Sequence, residues 1–254
     1  MTTRTISGTY TNGYTLAAKY LGLSITGSGS ISTPTAAHAG GGDPAQSAGV
    51  ALGLPHGGSL SNEGSIQGGM GGYGLYDTQA GGTSYGDGAA GGTAAVFSSS
   101  GSIDNSGAIL AGNGGAGGVG SREGESTTVA ADGYAGGMGG DGITLAGSVS
   151  ITNSGTIAGG GGGAGGVGGP GGYGIVADGG GAVSNDGVIR GGAGGAGGAA
   201  GYNQAGWRWA SRHGVRQRSR CTGRSRSFSW VTPVPVALSV PFMSVTYTSR
   251  DPPV

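Results

Sequence analysis

The residues able to do chemistry are few and scattered. Glu123 and Glu125, in the segment SREGES, are the one tight pair of carboxylates among residues 1–205. Two acids flanking a sugar linkage are what polysaccharide hydrolysis requires, but a charged pair in a polar, glycine-flanked stretch reads as solvated loop charge. His38 and His56 stand among alanine, glycine and proline with no acid or serine motif beside them, so each reads as a surface imidazole. Asp141 lies in GGMGGDGIT, residues 136–144, which fits the Gly-Gly-x-Gly-x-Asp-x-aliphatic-x nonapeptide of calcium-binding β-rolls, where carboxylates and carbonyls supply hard oxygen ligands. Such sites draw an Asp from each neighbouring turn, and the corresponding positions carry Tyr73 and Tyr173. Asp141 is thus the single calcium candidate, a weak one. Matches to Gly-x-Gly-x-x-Gly abound because glycine is abundant, and no strand-to-helix context gives them meaning. No catalytic residue and no organic cofactor site emerges, and the expectation is a protein that is not an enzyme.

These residues must be held by a scaffold of unusual composition. Glycine supplies 67 of 254 residues and charged residues only 9%, which excludes an ordinary globule with a thick two-layer core. The zero net charge is a cancellation. Residues 1–205 carry 4 Lys/Arg against 11 Asp/Glu, and residues 206–254 carry 8 Arg against one acid. Cys221, the only cysteine, permits no intrachain disulfide and no cysteine-based zinc site. No run of 18 apolar residues offers a transmembrane helix, and the N-terminus lacks the apolar stretch of a signal peptide.

A phrase repeats. Asn62, Asn105, Asn153 and Asn185 are each followed by glycine two residues on and by Ile66, Ile109, Ile157 and Ile189 four residues on. Leu60, Ile103, Ile151 and Val183 precede them by two. A fifth, degenerate copy, ITGSGSI, ends at Ile31 and puts Gly27 in the asparagine place. Aliphatic, Asn, Gly and Ile share one parity, so an extended chain turns them to one face and the Ser, Thr, Asp and Glu between them to the other. Glycine at the second step admits a positive φ, and asparagine can bond its own backbone, so the strand is expected to bend there. Further short strands precede most copies, at GVALGL, AAVF, GITLAGSVS and GIVAD.

The class this predicts is all-β: a parallel β-helix, or solenoid, over residues 1–205 with glycine-rich inter-coil loops, followed by a disordered tail over 206–254. Stacked coils would align the isoleucines in an aliphatic ladder and the asparagines in an amide ladder. Between the coils, Gly-Gly-x triplets such as GGPGGYG and GGMGGDG admit two readings. They are flexible surface loops, or extended three-residue-per-turn segments packed side by side like polyproline II.

The tandem phrase with its glycine-alanine connections, from about residue 5 to 200, resembles the passenger repeats of bacterial autotransporters and related surface adhesins. The resemblance implies a non-enzymatic structural or adhesive module at the cell surface or outer membrane, or secreted. Its partners would be host-cell, matrix or neighbouring-cell surfaces, with no specific nucleic acid. Two other classes stand beside it: a polysaccharide-active β-helix enzyme, which needs clustered acids on one face, and a non-functional truncated fragment of a longer gene of the same kind. The chain lacks the many alternating strands of a membrane-anchoring barrel.

Residues 206–230 hold all three tryptophans and seven arginines. A basic, aromatic tail can bind nucleic acid, but glycine codons all begin GG, and read one base early they encode Trp, Arg or Gly. The expectation is a reading frame that slips near residue 205, leaving 206–254 out of frame and unstructured. Translating the coding DNA in its other two forward frames should restore glycine-rich coils with an Asn-x-Gly-x-Ile phrase; absence of such a phrase from both frames makes the basic tail native.

Overall fold

The computed structural model describes residues 2–40, 43–74, 86–118, 134–197 and 226–229. Each of the first five coils contributes one short strand to each of three sheets, and the sixth contributes to two. The first is built from β1 (Thr3–Ile6), β2 (Thr9–Tyr10) and β3 (Tyr14–Thr15). The second has β4 (Gly22–Ile25), β5 (Ser30–Ser32) and β6 (Leu52–Leu54). The third has β7 (Gly58–Asn62), β8 (Ser65–Gln67) and β9 (Ala95–Phe97), and the fourth β10 (Gly101–Asn105), β11 (Ala108–Leu110) and β12 (Ile143–Leu145). The fifth has β13 (Val149–Asn153), β14 (Thr156–Ala158) and β15 (Ile175–Ala177), and the sixth β16 (Gly181–Asn185) and β17 (Val188–Arg190). Pairing from coil to coil is parallel throughout. No helix occurs among the described residues. The chain is a parallel β-solenoid.

Register carries identical side chains onto one another. Ile31, Ile66, Ile109, Ile157 and Ile189 stack in one sheet, the first four fully buried. Leu23, Leu60, Ile103, Ile151 and Val183 stack in another, all buried. The third wall is Leu54, Phe97 and Leu145 with Leu52, Ala95 and Ile143. A narrow column of aliphatics inside three sheets suits a chain too poor in large apolar residues for a thick core.

The four asparagines are buried in the same interior. Asn62 Nδ2 donates to Asn105 Oδ1 at 2.7 Å, Asn105 to Asn153 at 2.6 Å, and Asn153 to Asn185 at 2.6 Å. Their amides also reach back to the glycine carbonyls of Gly107, Gly155 and Gly187. A polar group removed from water costs little when its hydrogen bonds are made, and the ladder makes them.

The degenerate copy is seated differently from the expectation. Ile25, not Gly27, pairs with Asn62. Gly27 falls in a longer turn that Gly29 N–H closes onto Thr26 O at 2.8 Å. Ile31 keeps its expected place opposite Ile66. With Ile25 beneath it, Asn62 Oδ1 has no donor, and it is the one buried side-chain polar atom left unpartnered among the described residues. The first coil precedes this one, and it carries the phrase in disguise: Ile6 pairs with Ile25 and Tyr10 with Ile31. Arg4 takes the place opposite Leu23, its Nη2 donates to Tyr10 Oη at 3.2 Å, and Tyr10 meets Tyr14 edge-on at 5.5 Å. Repeat arrays need a terminal unit whose outer side tolerates water, and these long amphipathic side chains close that end.

The glycine of the phrase also has a different reason from the one expected. Positive φ occurs at Gly13, Gly57, Gly58, Gly180 and Gly181, and not at Gly64, Gly107, Gly155 or Gly187. At those four a Cβ would fall well inside 3.0 Å of the backbone of the coil below, on the carbonyls of Gly29, Gly64, Gly107 and Gly155 in turn. Close approach, not handedness, fixes the residue.

Of the segment 206–254, only Arg226–Ser229 is described, as β18, antiparallel to β16. A terminal strand presents unpaired backbone groups, and an added strand covers them.

Asn153→Ala should cost about 1–3 kcal/mol, since it strands Asn185 Oδ1 and takes the acceptor from Asn105. Asn62→Ala should cost less, because it removes one orphaned oxygen while creating another at Asn105. Chemical denaturation of the two variants measures the difference, with Ile157→Ala as the buried large-to-small reference at about 2–5 kcal/mol. Equal losses for the two asparagine variants would contradict the ladder.

Candidate functional site: the faces of a glycine-leg bundle

Beyond each β-coil the chain runs out along one leg and returns along another, and here the glycines are spent. The outgoing legs are 68–74, 111–118, 159–166 and 191–197; the returning legs are 86–93, 135–142 and 168–174. Their hydrogen bonds repeat every third residue. The first glycine of an outgoing triplet donates to the same leg of the next coil: Gly68 to Leu110 O and Gly71 to Asn113 O, then Ala111 to Ala158 O and Gly114 to Gly161 O, then Gly159 to Arg190 O and Gly162 to Ala193 O, all at 2.8–3.0 Å. Returning legs do likewise, as Gly88 to Ala135 O, Gly91 to Met138 O, Gly136 to Val167 O and Gly139 to Pro170 O. The second glycine bonds across to an antiparallel leg, giving the zigzag Gly69, Gly92, Gly112, Gly140, Gly160, Gly172, Gly192. This is the packed, three-residue-period reading of the triplets, and the flexible-loop reading is set aside for the described legs. Two residues in three point at a neighbouring backbone, where a Cβ would collide with a carbonyl at Gly71, Gly114, Gly160, Gly163 and their equivalents.

The third residue of a triplet points outward, and in these legs the first two places are glycine except at Ala89 and Ala111. The legs therefore build two display faces, each a grid with a column every third residue and a row every coil. The returning face carries Pro44, Asp87, Ala135 and Val167 in one column; Ser47, Ala90, Met138 and Pro170 in the next; and Val50, Thr93, Asp141 and Tyr173 in the last. Val50, Met138, Val167 and Tyr173, 45–57% exposed, are four of the seven exposed large apolar residues among those described. A shallow groove of about 470 Å³ runs over Pro44, Ser47, Asp87, Ala135 and Met138. The outgoing face carries Thr35, Met70, Asn113, Gly161 and Ala193 beside His38, Tyr73, Ala116, Ala164 and Ala196.

The polar members of these grids act as clips. A third residue's own N–H faces outward, and the side chain one coil earlier accepts it. Asp87 Oδ1 takes Ala135 N–H, Asn113 Oδ1 takes Gly161 N–H, and Asp141 Oδ1 takes Tyr173 N–H, each at 2.8 Å. His38 Nδ1 takes Tyr73 N–H at 2.9 Å while its ring stacks on Tyr73 at 4.6 Å. Sequence reasoning missed Asp87 and Asn113, whose signal was an acceptor side chain in the third place of a triplet. His38 is exposed, as expected of a surface imidazole, and its ring and Nδ1 are engaged by Tyr73. His56 is exposed in a turn, as expected of a surface imidazole.

Asp141, the calcium candidate, shares its column with Thr93 and Tyr173, so a cation there would find one carboxylate. No group of three or more His, Cys, Asp or Glu residues that could hold a metal ion forms among the described residues. Burial raises the Asp141 pKa, and the Tyr173 N–H partly opposes the rise. Glu123 and Glu125 lie outside the described residues. No described helix is long and apolar enough to cross a membrane.

No family model, curated protein or solved structure matches the chain.

A carboxyl whose pKa is raised by folding favours the protonated native state, so its unfavourable share disappears as pH falls through the native pKa toward the ordinary 3.8. Asp141→Asn retains an acceptor for Tyr173 N–H and does not titrate. The stability of the wild type relative to Asp141→Asn should therefore increase as pH falls over that window, in paired denaturation curves. A flat difference would show that burial does not perturb Asp141.

Proposed function

We propose that the chain is a non-enzymatic structural or adhesive display module, of the kind found in surface-exposed or secreted passenger domains. The observation that supports this reading most strongly is the division of labour within each triplet. Two residues are committed to backbone packing, and the third is presented on a stiff, regular face that carries the exposed apolar side chains Met138, Val167 and Tyr173 beside Val50. Exposed apolar patches on otherwise polar surfaces mark contact sites. A backbone fixed on all sides loses little further conformational entropy when such a face binds. The fitting partners are the surfaces of host or neighbouring cells, or matrix. The chain's place is the cell exterior, the outer membrane or the secreted fraction.

The test is retention of the purified chain, coupled to beads, on cell and matrix surfaces. The triple variant Met138→Ser, Val167→Ser, Tyr173→Ser should bind at least tenfold more weakly with an unchanged circular dichroism spectrum. Equal binding by the variant, or no retention on any surface, removes the adhesive reading. Release of sugars from polysaccharide substrates would replace it with the enzymatic one.

A further inference from the structure

The outgoing leg of the sixth coil, residues 191–197, ends the bundle differently from its predecessors. In the third, fourth and fifth coils, glycines at the first place of an outgoing triplet face the leg that returns from the same coil. A Cβ at Gly71 would strike Ala89 O, at Gly114 Gly137 O, and at Gly162 Gly169 O, all well inside 3.0 Å. The equivalent glycines of the last leg are open: the nearest described atom to a Cβ lies at 3.3 Å from Gly191, 3.8 Å from Gly194 and 3.8 Å from Gly197. At Gly194 and Gly197 the sequence keeps glycine where the described neighbours leave room for a side chain, and at Gly191 the approach is looser than at its equivalents Gly68 and Gly159.

The hydrogen bonds agree. In the fifth coil the returning leg donates Gly169 N–H to Gly163 O and Gly172 N–H to Gly160 O, at 2.9 Å each. Gly192 and Gly195 stand directly over Gly160 and Gly163. Their own N–H groups are satisfied by Gly172 O and Gly169 O at 2.8 Å, and their carbonyls have no donor among the described residues. Two acceptors three residues apart, flanked by glycines with no Cβ to obstruct approach, specify the missing occupant. It is an antiparallel extended leg with the pattern Gly-Gly-x-Gly-Gly, donating through the second glycine of each pair. Residues 199–254 contain no Gly-Gly pair, so that segment holds no second copy of the pattern.

We propose that this edge is a docking site for a glycine-rich, polyproline-II-like leg supplied by another chain. Recognition is by backbone alone, in the manner of strand addition to an open sheet edge but with a three-residue period. The docked leg places one N–H on Gly195 O and another on Gly192 O, and its second glycines press against the first-position glycines of the last leg. The side chain of each third residue joins the returning face.

The probe is a fluorescent peptide of the sequence VGGPGGYGI, identical to residues 167–175 and so to the leg that fills this place one coil earlier, titrated into the full chain by anisotropy. The expected result is saturable binding, weakened at least tenfold when the peptide carries alanine in place of the glycines equivalent to Gly169 and Gly172. Gly194→Ala in the protein should weaken binding as much while leaving the unfolding midpoint unchanged, whereas Gly162→Ala, in a filled coil, should lower it. Absence of binding, or equal binding by the alanine peptide or by Gly194→Ala, overturns the proposal. So does a midpoint loss in Gly194→Ala matching that of Gly162→Ala, which would mean that the chain's own residues already cover the leg.

Discussion

Backbone groups of one coil meet those of the next at the roughly 4.8 Å spacing of paired strands, and the whole molecule depends on that contact being repeated without a break in register. In the β-coils the contact is the parallel ladder, which carries aliphatic onto aliphatic and amide onto amide. In the legs it is a lattice of N–H to carbonyl bonds on a three-residue period. The two halves obey one constraint, that a neighbouring main chain lies at hydrogen-bonding distance on nearly every side. Glycine follows from it. Wherever the main chain is approached from the side by another main chain, a Cβ has no space, and this holds at Gly107 in the bend as much as at Gly160 in the leg.

Such a structure leans on hydrogen bonds more than on apolar burial. The aliphatic column is narrow, and a large share of the described residues lies in legs with almost no apolar side chain to bury. Net gain per backbone hydrogen bond is modest in water, on the order of 1 kcal/mol, but the cost of a buried amide or carbonyl left unmade is larger. Register is therefore enforced by what a slip would orphan. The asparagine ladder illustrates this at its lower end, where Ile25 interrupts the column and Asn62 Oδ1 loses its donor. The clips on the leg faces extend the same logic outward. Asp87, Asn113, Asp141 and His38 each take an N–H that the lattice does not reach.

For function, the consequence is a separation between what holds the protein and what it presents. Of the polar residues that could have been read as chemistry, Asp141 and His38 are occupied in structure. Apart from the clips, the third residue of each triplet makes no bond to the lattice, and its side chain stands on a face of regular geometry.

Much of this was legible in the residues themselves. The Asn-x-Gly-x-Ile phrase determines by parity which side chains face inward, and its recurrence determines that like must stack on like; both follow from the two-residue period of a strand. The wide spacing between copies, and the glycine that fills it, announce coils joined by long glycine-rich segments. What the sequence left open was decided by contacts between distant coils. Whether the triplets flex or pack depends on whether a second leg lies alongside to accept each N–H, and no local pattern states that. The seating of Ile25 over Gly27 depends on which residue the third coil presses upon, and the first coil's Arg4 and Tyr10 are recognisable only once their partners stand above them. The glycine in the phrase looked like a residue chosen for its φ. It is glycine because another backbone, some forty residues away in the chain, lies where its side chain would be.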